Sequence, residues 1–190
     1  MCIDYRALNE WTRWNTYPLP RIQECIDELG RAIYISKINL MSGYWQIHIR
    51  DSNIPKTAFN TRNGKYEFLV MPFGLTNAPT TFQTFVNNLF REFLNKFIII
   101  YLDDIVIYSN TYEEHIQHLR QVLEILRQNQ LYANPRKCVF AKQEVEFCGH
   151  IVGNGIVKVM KNKIQSIVEW PQPKNVHEVR QFLGLAGYYQ

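Results

Sequence analysis

A chain of 190 residues that is 46% hydrophobic can bury a sizeable core, about 70% of its unfolded surface, and its size suits one or two domains. Its longest apolar run, Phe97 to Leu102, falls far short of the roughly 20 residues that a membrane span needs, and no charged and apolar leader opens it, so an intracellular protein is expected. The four cysteines form no Cys-x-x-Cys pair, which argues against a zinc ribbon or a disulfide framework, while the net charge of +4 suits an anionic partner without requiring one.

Leu19-Pro20 leads into a helix in which Ile22, Cys25, Ile26 and Leu29 repeat at helical spacing, with Gly30 placed to end it. Ala32 to Ile38 reads as a strand, Asn39 to Gly43 as a turn, and Tyr44 to Ile49 alternates as a further strand. Lys56 to Thr61 and Lys65 to Val70 flank Asn63-Gly64, a dipeptide suited to the positive φ of a tight hairpin turn. Ala78-Pro79 opens a long helix whose Phe82, Phe85, Val86, Leu89, Phe90 and Phe93 share one face. Phe97 to Ile100 and Ile105 to Tyr108 are short apolar strands with only Tyr101 to Asp104 between them. They pair as an antiparallel hairpin with carboxylates at its tip.

Thr111 and Glu114 form a capping box ahead of Ile116, Leu119, Leu123 and Leu126, giving a helix to about Gln130. Val145 to Val152 and Ile156 to Val159 surround Gly153-Asn154-Gly155, a hairpin signal of open turn type. Helical patterns close the chain at Ile164 to Val168 and Val176 to Tyr189, and Pro171-Gln172-Pro173 between them reads as a hinge between subdomains. Helices and antiparallel hairpins in mixed order argue an α+β fold with the sheet covered on one face.

Asp103 and Asp104 carry the chemistry. Like charges and partial desolvation both oppose their ionisation unless a cation is present. Hard oxygen ligands at an open position suit Mg2+ or Mn2+, although a bare Asp-Asp pair also fits a polar turn with solvated aspartates. His115 and His118, spaced i, i+3 beside Glu113 and Glu114, read as a solvated helix face in preference to a zinc site.

The surrounding motifs decide between the two readings of the Asp pair. They are Cys2-Ile3-Asp4-Tyr5-Arg6-Ala7-Leu8-Asn9, Tyr17-Pro18-Leu19-Pro20-Arg21-Ile22, Ser42-Gly43-Tyr44, Ile54-Pro55-Lys56-Thr57-Ala58-Phe59 and Met71-Pro72-Phe73-Gly74-Leu75-Thr76-Asn77-Ala78-Pro79. Tyr101-Leu102-Asp103-Asp104, Phe147-Cys148-Gly149-His150-Ile151-Val152 and Phe182-Leu183-Gly184-Leu185-Ala186 complete the set. In this order they resemble the reverse transcriptase of gypsy-type long-terminal-repeat retrotransposon Pol polyproteins, across nearly the whole chain. Nucleotidyl cyclases share an Asp-rich hairpin but not the remaining motifs.

The resemblance implies the polymerase right-hand fold, with fingers and palm over residues 1–170, an antiparallel palm sheet covered by helices, and the start of the thumb over 171–190. It implies RNA-directed DNA polymerase activity, a template–primer duplex of RNA or DNA, deoxynucleoside triphosphates, and two ions of Mg2+ or Mn2+ held by Asp103 and Asp104. It makes Tyr44 the steric gate against a ribose 2′-hydroxyl and places Phe73 and Gly74 against the incoming nucleotide. Lys137 matches the lysine that protonates pyrophosphate, and Phe147, Gly149 and His150 match the primer grip.

One position departs from the family. The strand before Ser42-Gly43-Tyr44 carries an aspartate in these enzymes, and Asn39 stands here. An amide brings one neutral oxygen, no charge, and donors that face a cation unfavourably. Two-metal transfer needs bridging carboxylates, so impaired catalysis is expected. The family's triphosphate-gripping fingers arginine and lysine belong upstream of Met1, so in this reading the chain is a fragment, and this truncation is expected to impair catalysis together with Asn39. A non-catalytic nucleic-acid-binding remnant of a Pol polyprotein is the alternative.

Overall fold

The structure, a computed structural model, describes residues 3–18 and 20–189. Met1, Cys2, Leu19 and Gln190 lie outside the described residues, Cys2 and Leu19 being parts of the motifs above.

In chain order the helices are α1 (Arg6–Trp11), α2 (Ile22–Arg31), α3 (Ala78–Leu89), α4 (Tyr112–Gln128), α5 (Lys161–Val168) and α6 (Val176–Tyr188). The strands are β1 (Tyr34–Asn39), β2 (Phe59–Thr61), β3 (Gly64–Tyr66), β4 (Ile98–Tyr101), β5 (Asp104–Ser109), β6 (Val139–Lys142), β7 (Val145–Phe147), β8 (His150–Gly153) and β9 (Ile156–Val159). They make a four-stranded antiparallel sheet in the order β4-β5-β1-β6, the β2-β3 hairpin, and a three-stranded sheet β7-β8-β9.

The two-residue period of the central strands sorts their side chains into two cores. Ile38, Ile98, Ile100, Ile105 and Ile107 face α3 and α4, where they pack with Phe82, Val86, Phe90 and Val122. Ile35, Ile99 and Val106 face the other way, against Cys25, Ile26 and Leu29 of α2 and Val145, Phe147 and Val152 of the small sheet. The central sheet is therefore covered on both faces, not one. The unbroken apolar runs of β4 and β5 are the reason, since strands buried on both sides show no polar alternation.

Gly30 lies one residue inside the end of α2, which runs to Arg31, and its lack of a side chain serves packing, since a Cβ there would stand 2.8 Å from Val157 Cγ2 of β9. The expected strand at Tyr44 to Ile49 is instead a 3-10 turn over Gly43–Gln46, with one isolated bridge from His48 to Val70. Gly43 sits against the Phe82 ring, and burying that contact outweighs the local alternation. The next hairpin is shorter than expected, reduced to β2 and β3, since Pro55 lies in a 3-10 turn over Asp51–Thr57. Val145 to Val152 is broken into two strands by a turn at Cys148 and Gly149, with φ of 45° and 81°. Asn154 and Gly155, at 51° and 76°, settle the second turn in the same left-handed region.

The long helix ends at Leu89, short of Phe93. In α4 the buried face is His115, Leu119, Val122 and Leu126, while Ile116 and Leu123 stay exposed. The capping box is present, with Thr111 accepting from the Glu114 amide. Helix α1 and strand β6 were not expected; β6 pairs with β1 through an irregular register.

Candidate functional site

Strands β4 and β5 pair from Ile98 with Ile107 to Tyr101 with Asp104, leaving Leu102 and Asp103 as the turn. Leu102 takes φ of 52°, a conformation costly for a branched L residue, so something must hold it. Fully buried Gln83 of α3 does so: its Oε1 accepts from the Leu102 amide at 2.9 Å and its Nε2 donates to the Ile100 carbonyl at 3.0 Å. The clue in the sequence is an amide at position 83, bonded to Asn87 one turn on, beside a helix face built from Phe82, Val86 and Phe90.

The β1–β5 register sets Asn39 directly opposite Asp104. Its Nδ2 donates to Asp104 Oδ1 at 3.2 Å. Two residues earlier on the same strand face, Lys37 places Nζ 2.8 Å from Asp104 Oδ2, with a longer contact of 3.5 Å to the Glu146 carbonyl. Both Asp104 oxygens thus receive donors from β1. Lys37 went unnoticed in the sequence, although strand alternation places it with Asn39.

Asp103 has its carboxyl pushed above the usual range, first by burial and then by the charge of Asp104, with Lys137 pulling the other way. A cleft of about 520 Å³ beside them is lined by Lys37, Asn39, Asp104, Lys137, Lys142, Glu144 and Glu146, with Val139 and Val145. Among the described residues no group of three His, Cys, Asp or Glu side chains could hold a metal ion. With one acid fully engaged and an amide in third place, the residues present do not fit a two-ion centre.

Tyr44 packs its ring 4.9 Å from that of Phe73 and 5.5 Å from that of Phe82. Burial and the Asp103 charge both raise the Tyr44 hydroxyl, which places this aromatic within the field of the Asp pair. Gly74 adopts φ of 99°, a glycine conformation, and Asn9 of α1 clamps the segment by donating to the Gly74 carbonyl and accepting from the Thr76 amide, each at 2.8 Å. The remaining predicted residues lie on the β7–β8 hairpin. Phe147 is buried with its ring 5.9 Å from Tyr101, and Gly149 and His150 face Tyr189 of the C-terminal segment. His150 donates from Nδ1 to the Cys148 carbonyl at 3.1 Å.

The structure therefore brings Asp103, Asp104, Asn39 and Lys137 together, sets Tyr44 on Phe73 beside them, and joins the Phe147 hairpin through Tyr101. The His115 and His118 reading is corrected. His115 is fully buried, bonded to Ser36 at 2.7 Å and Ser109 at 2.9 Å, and His118 stacks on Phe97 with ring centroids 3.8 Å apart. The serines of β1 and β5 sit under α4, so this helix face is sheet-facing, not solvated.

A second cleft, about 680 Å³, opens between α1 and the 3-10 turn preceding β2. Arg13, His48, Arg50 and Lys56 are among its lining residues, and no carboxylate is. Trp11 on its rim is 89% exposed. No helix of the described residues is long and apolar enough to cross a membrane.

Comparisons with known proteins agree with this geometry. Residues 1–152 match the family model described as reverse transcriptase (RNA-dependent DNA polymerase). The retrovirus-related Pol polyprotein from transposon opus of Drosophila melanogaster is 43% identical over the full chain, which covers 19% of that protein. The transposon Tf2-3 polyprotein of Schizosaccharomyces pombe is 38% identical over 99% of the chain and 14% of its own length. The chain thus spans about a fifth or less of the curated relatives it matches.

Among solved structures, a foamy viral protease-reverse transcriptase in complex with double-stranded DNA aligns at a TM-score of 0.86 and 26% identity, over 99% of this chain and 39% of that one. The same enzyme type in complex with an RNA/DNA hybrid aligns at 0.75 and 26%, over 97% and 25%. These likenesses bear out the α+β polymerase fold. With the motif order, the paired-aspartate hairpin and the whole-length relatives in agreement, the chain belongs to the reverse transcriptase (RNA-dependent DNA polymerase) family, as a reverse transcriptase domain of the kind carried by gypsy-type retrotransposon Pol polyproteins.

Proposed function

We propose that this domain holds a template–primer duplex of RNA or DNA against the face bearing Asp103 and Asp104, and that its template-directed nucleotidyl transfer is impaired at Asn39. The observation that carries the reading is the Asn39–Asp104 hydrogen bond, an amide where a bridging carboxylate is required. Reverse transcriptases generally use divalent metals to neutralise charge on the transferred phosphate. The donor set here does not match a pair of Mg2+ or Mn2+ ions.

In this reading Tyr44 and Phe73 form the aromatic wall for the deoxynucleoside, with the tight Gly74 backbone beside it. Lys137 supplies positive charge next to Asp103, where departing pyrophosphate would need a proton. Phe147, Gly149 and His150 hold the primer end through a hairpin stiffened by Tyr101. The carboxylate-free cleft with Arg13, Arg50 and Lys56 supports an anionic partner on the fingers side, and exposed Trp11 offers a stacking surface.

The test is primer extension on an RNA template with Mg2+ or Mn2+, comparing the chain with Asn39→Asp. Extension is expected to be weak or nil without the change and at least tenfold greater with it. Robust extension by the unaltered chain overturns the impairment.

The Lys37–Asp104 ion pair favours a second reading, a non-catalytic duplex holder. Duplex affinity that falls steeply with salt, without turnover by either form, would select it.

A further inference from the structure

The ammonium of Lys37 occupies an unusual place. It lies 2.8 Å from Asp104 Oδ2, and the Asn39 amide takes Oδ1 of the same carboxylate. The pair is shielded: side-chain exposure is 23% for Lys37 and 26% for Asp104, and strand β7 covers the lysine through the Glu146 carbonyl. A pair this sheltered is screened less by salt than a surface bridge, and breaking it strands one charge in a poorly solvated place.

Charge arithmetic in the cluster makes the same point. Two carboxylates, Asp103 and Asp104, face two ammonium groups, Lys37 in contact and Lys137 near Asp103. These four charges balance one another, while Lys142, Glu144 and Glu146 also line the cleft. With a carboxylate at position 39 the cluster would carry an extra negative charge for an external cation to answer. With Asn39, an incoming divalent ion must take Asp104 from Lys37, the one acid that its ammonium contacts among the described residues.

We propose that Lys37 is the resident cation of this carboxylate cluster and that its ion pair with Asp104 keeps divalent metal out of the Asn39 form of the domain. This makes Lys37 a positioning residue that turns the palm carboxylates from a metal centre into a closed structural pair. The inference rests on the reading of Asp103 and Asp104 as palm carboxylates.

The experiment measures Mn2+ binding to the intact chain by loss of the free-ion electron paramagnetic resonance signal, with folding of each variant checked by circular dichroism. Lys37→Met removes the ammonium and keeps the stem, Lys37→Gln serves where Met impairs folding, and Lys37→Arg retains the cation. Mn2+ affinity is expected to rise at least tenfold in Lys37→Met or Lys37→Gln, and to stay at the low level of the unaltered chain in Lys37→Arg. An unaltered chain that binds Mn2+ as tightly as Lys37→Met overturns the proposal. So does a folded Lys37→Met with no gain, and Asn39→Asp then separates the two levels. Tight Mn2+ binding by Asn39→Asp leaves the carboxylate reading standing while Lys37 loses its role, whereas no binding by any variant removes both.

Discussion

Gln83 and Leu102 are joined by a hydrogen bond of 2.9 Å from the Leu102 amide to the Gln83 side chain, linking the buried face of α3 to the strained turn that carries Asp103. The Gln83 Nε2 in turn donates to the Ile100 carbonyl on the near side of the turn. A helix side chain thereby does what a glycine in the turn would otherwise do, holding a left-handed backbone in place. Gln83→Leu, close in volume, leaves the Leu102 amide and the Ile100 carbonyl without these partners. Each buried group left unpaired costs about 1–3 kcal/mol. Urea denaturation is expected to show a loss of about 1–3 kcal/mol, since the Ile100 carbonyl is buried and the Leu102 turn partly exposed, and Gln83→Glu, which buries a carboxylate against the Ile100 carbonyl, a loss at least as large.

The buried histidine makes stability depend on acid. Burial first and the nearby His118 second hold His115 down at about 4, against 6.5 for an unhindered histidine. The folded state therefore resists a proton that the unfolded chain accepts. Stability is full above about pH 6.5 and is lost as pH falls from there toward about 4, by roughly 3 kcal/mol for a shift of this size. Unfolding midpoints measured across that window should fall, and His115→Gln should flatten this part of the profile while lowering stability at pH 7.

Two glycines allow close approaches and one allows only a turn. A Cβ on Gly43 would stand 2.7 Å from the Phe82 ring, and one on Gly153 2.1 Å from the Gln143 carbonyl at φ of 128°. On Gly155, at φ of 76°, a Cβ meets nothing within 4 Å. Gly155→Ala is expected to cost only its backbone strain, about 1–2 kcal/mol. Gly43→Ala adds overpacking of about 1–3 kcal/mol under Tyr44, and Gly153→Ala should cost more than either or prevent folding. Thermal melts of the three variants give the ranking.

Burial first and the charge of Asp104 second push the Asp103 carboxyl above its usual range, so its charge is disfavoured in the folded state. Removing its charge should therefore help the fold. Asp103→Asn is expected to raise the melting temperature at pH 7 while abolishing whatever primer extension the domain or its Asn39→Asp form supports. A melting temperature that falls would show that the aspartate serves the turn and not the chemistry.

Much of the site is legible in the sequence. The Tyr101 to Asp104 turn between two apolar runs admits only a short hairpin, so the carboxylates had to come to its tip, and the ordered motifs named the family. Asn39 was recognisable as a departure because the motif around it is otherwise intact. Local pattern failed at Tyr44 to Ile49, where alternation suggests a strand but the fit of Gly43 under Phe82 makes a tight turn. It failed also at His115, whose acidic neighbours suggest solvent although its ring closes a serine pair beneath α4.

By itself the sequence determined the ancestry, the hairpin and the residues placed at its tip, since these depend on chain order, apolar periodicity and side-chain identity over a few neighbouring residues. Only the tertiary structure decided what surrounds the acids. Lys37 and Asn39 reach Asp104 across 65 or more residues of chain, through a strand register that sheet pairing creates. Gln83 reaches the turn only because α3 packs on that sheet. Ion pairs and buried hydrogen bonds depend on distances of a few ångströms between distant segments, and those distances exist only once both cores have formed.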